Sequence, residues 1–323
     1  MLGISCAHGS GGGQPGDRTI EQIDVVPEFL AAWQEVRSAP RPEQVARTRQ
    51  ALLASHPDLF GPEVFGSGAT LDRDLERLLV EMPRLEPKLR ALSERMPGEL
   101  ERSARRFLDE FPELAWSGPA ASSLSFSHFE AVWRTVGRRR TLVLGLDAMA
   151  FYRGPYAPLE PVVQHALAAA LLPPWKGPGP APIWWTLWEE AFPLAAVRTL
   201  DPAASDADLR LTEEGKDPAY LAALARRVRG VLDSTRESDR QALATAGGGS
   251  SGGRWLALRV GQKVLAGRTL HEAPQLTGPQ LRRAIEAARV ALERPGSGRR
   301  PGGPTASPGA GGASGLARSR PAC

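Results

Sequence analysis

The sequence predicts an α+β fold that is mainly α, and three observations carry the prediction. Apolar residues recur at helical spacing over most of the chain between residues 20 and 294. Short runs of alternating or β-branched residues are confined to 121–146. Apolar content of 42% with 24% charged residues is that of an ordinary folded domain. The 323 residues suffice for one large core or two small ones.

Taken in order, residues 1–19 read as a disordered leader. Gly9 to Gly16 is a Gly-rich linker. From Ile20 the pattern turns helical: Val26, Leu30, Trp33 and Val36 share a face, and Pro42-Glu43 opens a second helix through Leu53. Gly61 to Gly68 is a break. Leu71, Leu75, Leu78, Leu79 and Met82 begin a stripe that continues through Leu85, Leu89, Leu92 and Met96 to Leu100, Ala104, Phe107 and Phe111. Pro83, Pro87 and Pro97 predict three divisions in it, because each removes a donor and clashes one turn back. This helical region spans 20–111.

A second region, 112–294, begins with strand-like runs at Ala121–Phe126, Ala131–Val136 and Thr141–Leu146. The turn Gly137-Arg138-Arg139-Arg140 reads as a solvated hairpin tip, with an anion site as the other reading. Asp147 is placed to cap a short helix through Tyr152. Ser205 to Asp208 is a helix start or an ordered turn. Helices follow at 218–232, 255–265 and 279–292, the first with a basic face of Arg226, Arg227 and Arg229. Ala246 to Gly253 reads as a mobile linker, and 295–323 as a disordered basic tail rich in Gly and Pro.

Charge and length exclude some functions. The formal excess of +4 equals the four arginines of the tail, so the folded body is neutral and offers no nucleic-acid footprint. No segment approaches the ~20 apolar residues of a membrane span. The two cysteines, Cys6 and Cys323, lie at the extreme ends, where a structural disulfide or ligand pair is not expected. Leu2-Gly3-Ile4-Ser5-Cys6-Ala7 resembles the end of a bacterial lipoprotein signal, with Cys6 as the lipidation candidate; chance is the other reading. A start upstream would place the protein in the cell envelope, periplasmic or lipid-anchored; otherwise it is cytoplasmic.

Chemistry concentrates in 158–200. The helical segment 159–171 carries His165 on an apolar face, and 183–192 sets Glu189 and Glu190 behind Trp184, Trp185 and Trp188. Each has a plain alternative. His165 can be a core histidine, the carboxylates a charge pair on a helix, the tryptophans packing.

Order and context give another reading. Thr141-Leu142-Val143-Leu144-Gly145-Leu146-Asp147, Val162-Val163-Gln164-His165, Trp184-Trp185-Thr186-Leu187-Trp188-Glu189-Glu190-Ala191 and Leu200-Asp201-Pro202-Ala203-Ala204-Ser205-Asp206 together resemble a family of bacterial, often lipoprotein-like, predicted zinc-dependent proteases of the gluzincin class. The resemblance covers roughly residues 20–294 and implies a gluzincin-like (zincin) helical core. Active relatives hold zinc on H-E-x-x-H and a Glu of a later W-x-E-G-like helix.

Position by position, the resemblance puts His165 at the first ligand and Glu190 at the third. Ala166 stands where the general-base Glu belongs and Ala169 where the second His belongs. Ala191 replaces the following Gly, Pro193 should kink the helix, and 254–258 lacks a Tyr near the oxyanion. His128 and His271 are the histidines left to replace the lost ligand, without helical spacing to His165. The missing base alone would cost ~10²–10⁴-fold in rate. The expectation is a degenerate metalloprotease domain, a pseudoprotease with no catalytic residue and no bound zinc. Its remaining role would be binding or scaffolding, with a peptide or protein partner gripped beside Ala121–Phe126 in a cleft lined by Trp184, Trp185, Trp188 and Glu189. The alternatives are a working zinc peptidase of unusual ligands, with Glu189 or Glu190 as base, and a purely structural lipoprotein.

Overall fold

Residues 20–61, 67–244 and 251–293 are described by the computed structural model. Cys6, the linker 9–16, the tail 295–323 and most of the 246–253 segment lie outside them. Chain order runs β1 (Gln22–Asp24), α1 (Val26–Val36), α2 (Arg41–Ser55), α3 (Pro57–Phe60), α4 (Gly68–Glu110), β2 (Ala120–Ser123), β3 (Ala131–Val136) and β4 (Arg139–Gly145). It continues with α5 (Leu146–Tyr152), α6 (Glu160–Leu171), α7 (Ile183–Leu200), α8 (Pro218–Arg229), α9 (Glu237–Ala244), α10 (Ser251–Leu265) and α11 (Gly278–Glu293). The fold is α+β, mainly α, with one small mixed sheet. Among the described residues no helix is long and apolar enough to cross a membrane.

α4 is one helix of 43 residues where the prolines predicted several. Ser67 caps its start by accepting from the Thr70 amide at 3.3 Å. Pro83, Pro87 and Pro97 all sit on the exposed face. There the rings stand clear of the core, while the apolar stripe opposite stays buried from Leu71 to Leu108. Burial of the stripe outweighs the local penalty of the rings.

The sheet order is β1-β2-β4-β3, with β1, β2 and β4 parallel and β3 antiparallel to β4. Two expectations are corrected here. The residues after Ile20 open as a strand before α1 begins. The run at Ala121–Phe126 contributes an inner strand, paired on both sides through 120–123, so it offers no free edge to a peptide. Asp24 closes the β1–α1 corner by accepting from Val26 N at 3.0 Å and from Ser93 Oγ of α4 at 2.7 Å. β3 and β4 meet in a two-residue turn with φ of 53° at Gly137 and 74° at Arg138, the pair of positive values that matches the twist of a tight hairpin. Beyond the tip, Arg139 pairs with Glu21 at 2.7 Å and Arg140 stacks over Trp133.

Asp147 is not the cap of its own helix. Fully buried, it accepts from Ser125 N at 2.6 Å, Ser125 Oγ at 3.1 Å and Ser127 N at 2.7 Å, which fixes the 125–127 turn. Burial pushes its carboxyl above the usual range, and those donors pull the other way. Residues 251–253, expected within a linker, open α10. One continuous apolar core runs through the described chain, and α6 lies within it between α4 and α7, touching β3.

Candidate functional site

Three helices converge on the segment that the sequence singled out. α6 begins with Glu160-Pro161, where a proline loses nothing, and ends as Leu172 turns extended before two prolines. His165 and Ala169 are one turn apart on it and half-buried. Ala166 is 4% exposed, and its carbonyl accepts from Trp133 Nε1 at 2.7 Å, pinning α6 to the sheet edge.

α7 is nearly apolar all round and continues as one helix through Pro193. Such a helix must be enclosed on several sides. Trp184, Trp185 and Trp188 face inward at 7%, 6% and 1% exposure, with Trp175 packed edge-on against the first and tilted against the second. They form core, and the expected tryptophan-lined cleft gives way to packing. The opening beside α7 is a cavity of about 470 Å³ whose lining includes Ile183, Leu187, Glu189, Glu190, Arg210 and Arg254.

The two adjacent glutamates part company, since neighbours on a helix point in different directions. Glu189 lines the cavity and accepts from Trp185 Nε1 at 2.9 Å. Burial moves its carboxyl upward, partly offset by that bond and by Arg240. Glu190 faces α6 and α10. Its Oε1 lies 3.8 Å from His165 Nε2 and 2.6 Å from Arg254 Nη1. Burial would raise the Glu190 carboxyl, but Arg254, with His165 and Arg210 behind it, holds it down at about 2.

His165 and Glu190 therefore come together from separate helices. The two candidate replacements, His128 and His271, do not join them. His128 pairs with Asp74 at 3.0 Å, and His271 pairs with Glu113 at 2.8 Å while packing on Phe111. Among the described residues no three His, Cys, Asp or Glu side chains are grouped as metal ligands. A catalytic zinc takes three protein ligands and a water. One imidazole, one carboxylate and a guanidinium already on that carboxylate do not fit zinc.

Arg254 was the residue missed. In the sequence it is one charge at the head of an apolar run, indistinguishable from a solvated helix start. Its reach is set by how closely α10 lies on α7. Gly261 makes that approach, since a Cβ there would stand 2.3 Å from the Ala191 carbonyl oxygen and 2.9 Å from the Ala195 Cβ. Positions 254 and 261 are two turns apart on one face. Comparison of the chain with family models, characterised proteins and solved structures finds no match.

Proposed function

We propose that this protein is a catalytically inactive, metalloprotease-like protein whose role is binding or scaffolding at the cell envelope. The observation that carries the reading is the pairing of Glu190 with Arg254 at 2.6 Å, beside a His165 turn that offers only Ala166 and Ala169. A general base works best with a pKa near the operating pH. A carboxylate held at about 2 by a guanidinium is a poor acceptor for a water's proton. At position 166 there is no carboxylate at all.

The chemistry that remains is recognition. With the inner strand excluded, the strand at the sheet's margin over α6 is β3, which among the described residues pairs with β4 alone. A peptide partner adding there would gain main-chain hydrogen bonds, with side-chain pockets giving specificity.

A second reading, a hydrolase using Glu189, draws on that carboxyl's upward shift and its position on the cavity. One experiment separates the two. We expect the purified full chain to carry no stoichiometric zinc by elemental analysis, and to cleave no member of a peptide library with zinc supplied. One tight zinc per chain, or turnover that a chelator or Glu189→Gln abolishes in a protease-free preparation, would overturn the pseudoprotease reading.

A further inference from the structure

We propose that Arg254 is the resident cation of this site, its guanidinium holding the carboxylate that a metal ion would need, so that no ion can enter on His165 and Glu190 while it stays. The inference takes from the proposed function only the identity of the two ligands; the position of Arg254 is independent of it.

The spacing of the two ligands is that of groups arranged around a charge. Donors about 2.0–2.2 Å from one ion stand no more than ~4.4 Å from each other. His165 Nε2 and Glu190 Oε1 are 3.8 Å apart, too far for a hydrogen bond and within that limit. Both atoms are buried with no hydrogen-bond partner of their own. A buried carboxylate oxygen in that state demands a counter-charge. Arg254 Nη1 supplies it at 2.6 Å.

The guanidinium is held in place by more than its ion pair. Arg254 Nε donates to the Leu209 carbonyl at 3.1 Å, which orients the plane of the group. Two turns along α10, the Gly261 contact with Ala191 fixes the distance between α10 and α7. Swinging the side chain out would strand the Glu190 oxygen and give up the Leu209 hydrogen bond. A like charge, Arg210, lines the same cavity and adds to the repulsion that a divalent cation would meet there. Supplying the missing histidine is therefore not enough. Arg254 has to leave as well.

The test measures cobalt and zinc binding to the full chain by titration calorimetry, with the visible absorption of bound cobalt reporting its ligands. Ala169→His puts a second imidazole one turn from His165; Arg254→Met removes the charge and keeps the bulk. Neither single variant should bind better than the parent chain. The double variant should bind about 10- to 100-fold more tightly than either, within the range of coupling between side chains that share a site. Ala169→His with Arg254→Gln, which removes the charge and keeps polar donors on a shorter side chain, carries the same expectation and serves if the Met variant does not fold. Binding by Ala169→His alone that equals the double variant would show that Arg254 blocks nothing. A folded double variant that binds no better than the parent would show that the two ligands are not set for an ion. Either result overturns the inference. Zinc or peptide turnover in the parent chain, by contrast, would remove the pseudoprotease reading.

Discussion

Along α4 the inward stripe of Leu75, Leu79, Met82, Leu89 and Met96 is fully buried, while the outer face carries pairs such as Arg84–Glu81, Arg90–Glu86 and Arg105–Glu101 one turn apart. α7 has almost no such outer face. From Ile183 to Val197 only Thr186, Glu189 and Glu190 escape burial, and the rest packs against α6 and α10 on successive sides, its proline included. The prolines of α4 are all exposed, whereas Pro193 of α7 is buried. A helix with one wet side can absorb charge, a ring or a change of side chain there. In the α6–α7–α10 packet most positions are contacts. A charge turned into it needs a partner, as Glu190 has in Arg254.

The sharpest way to press that difference is Trp188→Ala, at the centre of the packet. Trp188 is 1% exposed and packs on Phe192 with ring centroids 5.5 Å apart. Truncating a buried aromatic leaves a void that a densely enclosed helix cannot collapse, and the loss should be about 3–5 kcal/mol. Urea unfolding followed by far-UV circular dichroism gives the figure. A loss below about 0.5 kcal/mol, the level of an exposed site, would mean that Trp188 is not enclosed as described.

Next comes Gly261→Ala, which adds a single methyl where α10 meets α7. That Cβ would lie 2.3 Å from the Ala191 carbonyl oxygen, and backbone cannot step aside as a flexible side chain can. Alanine ordinarily strengthens a helix by about 1 kcal/mol relative to glycine. Here overpacking of about 1–3 kcal/mol should reverse the sign. A rise in the urea midpoint would show that the two helices are not in close contact.

These contrasts mark how far the amino-acid order could be read. The α4 stripe was legible because a period of 3.6 needs no partner to be recognised. Its prolines misled because a proline's local penalty is blind to which face is wet. Gln22-Ile23-Asp24 is too short to show alternation, so β1 is visible only through its pairing with β2. The inner strand was legible as a strand. Its interior place depended on β1, which arrives from another part of the chain. His165 and Glu190 were singled out by the order of their segments, and they do meet. Arg254 was not legible, because its role rests on Gly261 and Ala191, small residues whose meaning appears only when two helices are laid together.

The smallest expected effect lies on the outer face of α4, at Arg105. Its guanidinium is 2.9 Å from Glu101, four residues back on the same helix, with side-chain exposures of 60% and 25%. A pair of this kind gains little from its attraction, because water screens it and holding two long side chains together costs rotamer freedom. Arg105→Ala should therefore lower stability by about 0.3–0.5 kcal/mol, and by less in high salt. Glu101 keeps another partner, since its Oε2 accepts from the Ile20 amide at 3.3 Å, so the carboxylate is not left bare. A double-mutant cycle with Glu101→Ala isolates the pair from that second contact. A coupling above about 1 kcal/mol, beyond the usual range for an exposed pair, would mean that this face of α4 is covered by something in solution. The contrast between a helix with a wet side and a helix without one would then fail at α4 rather than at α7.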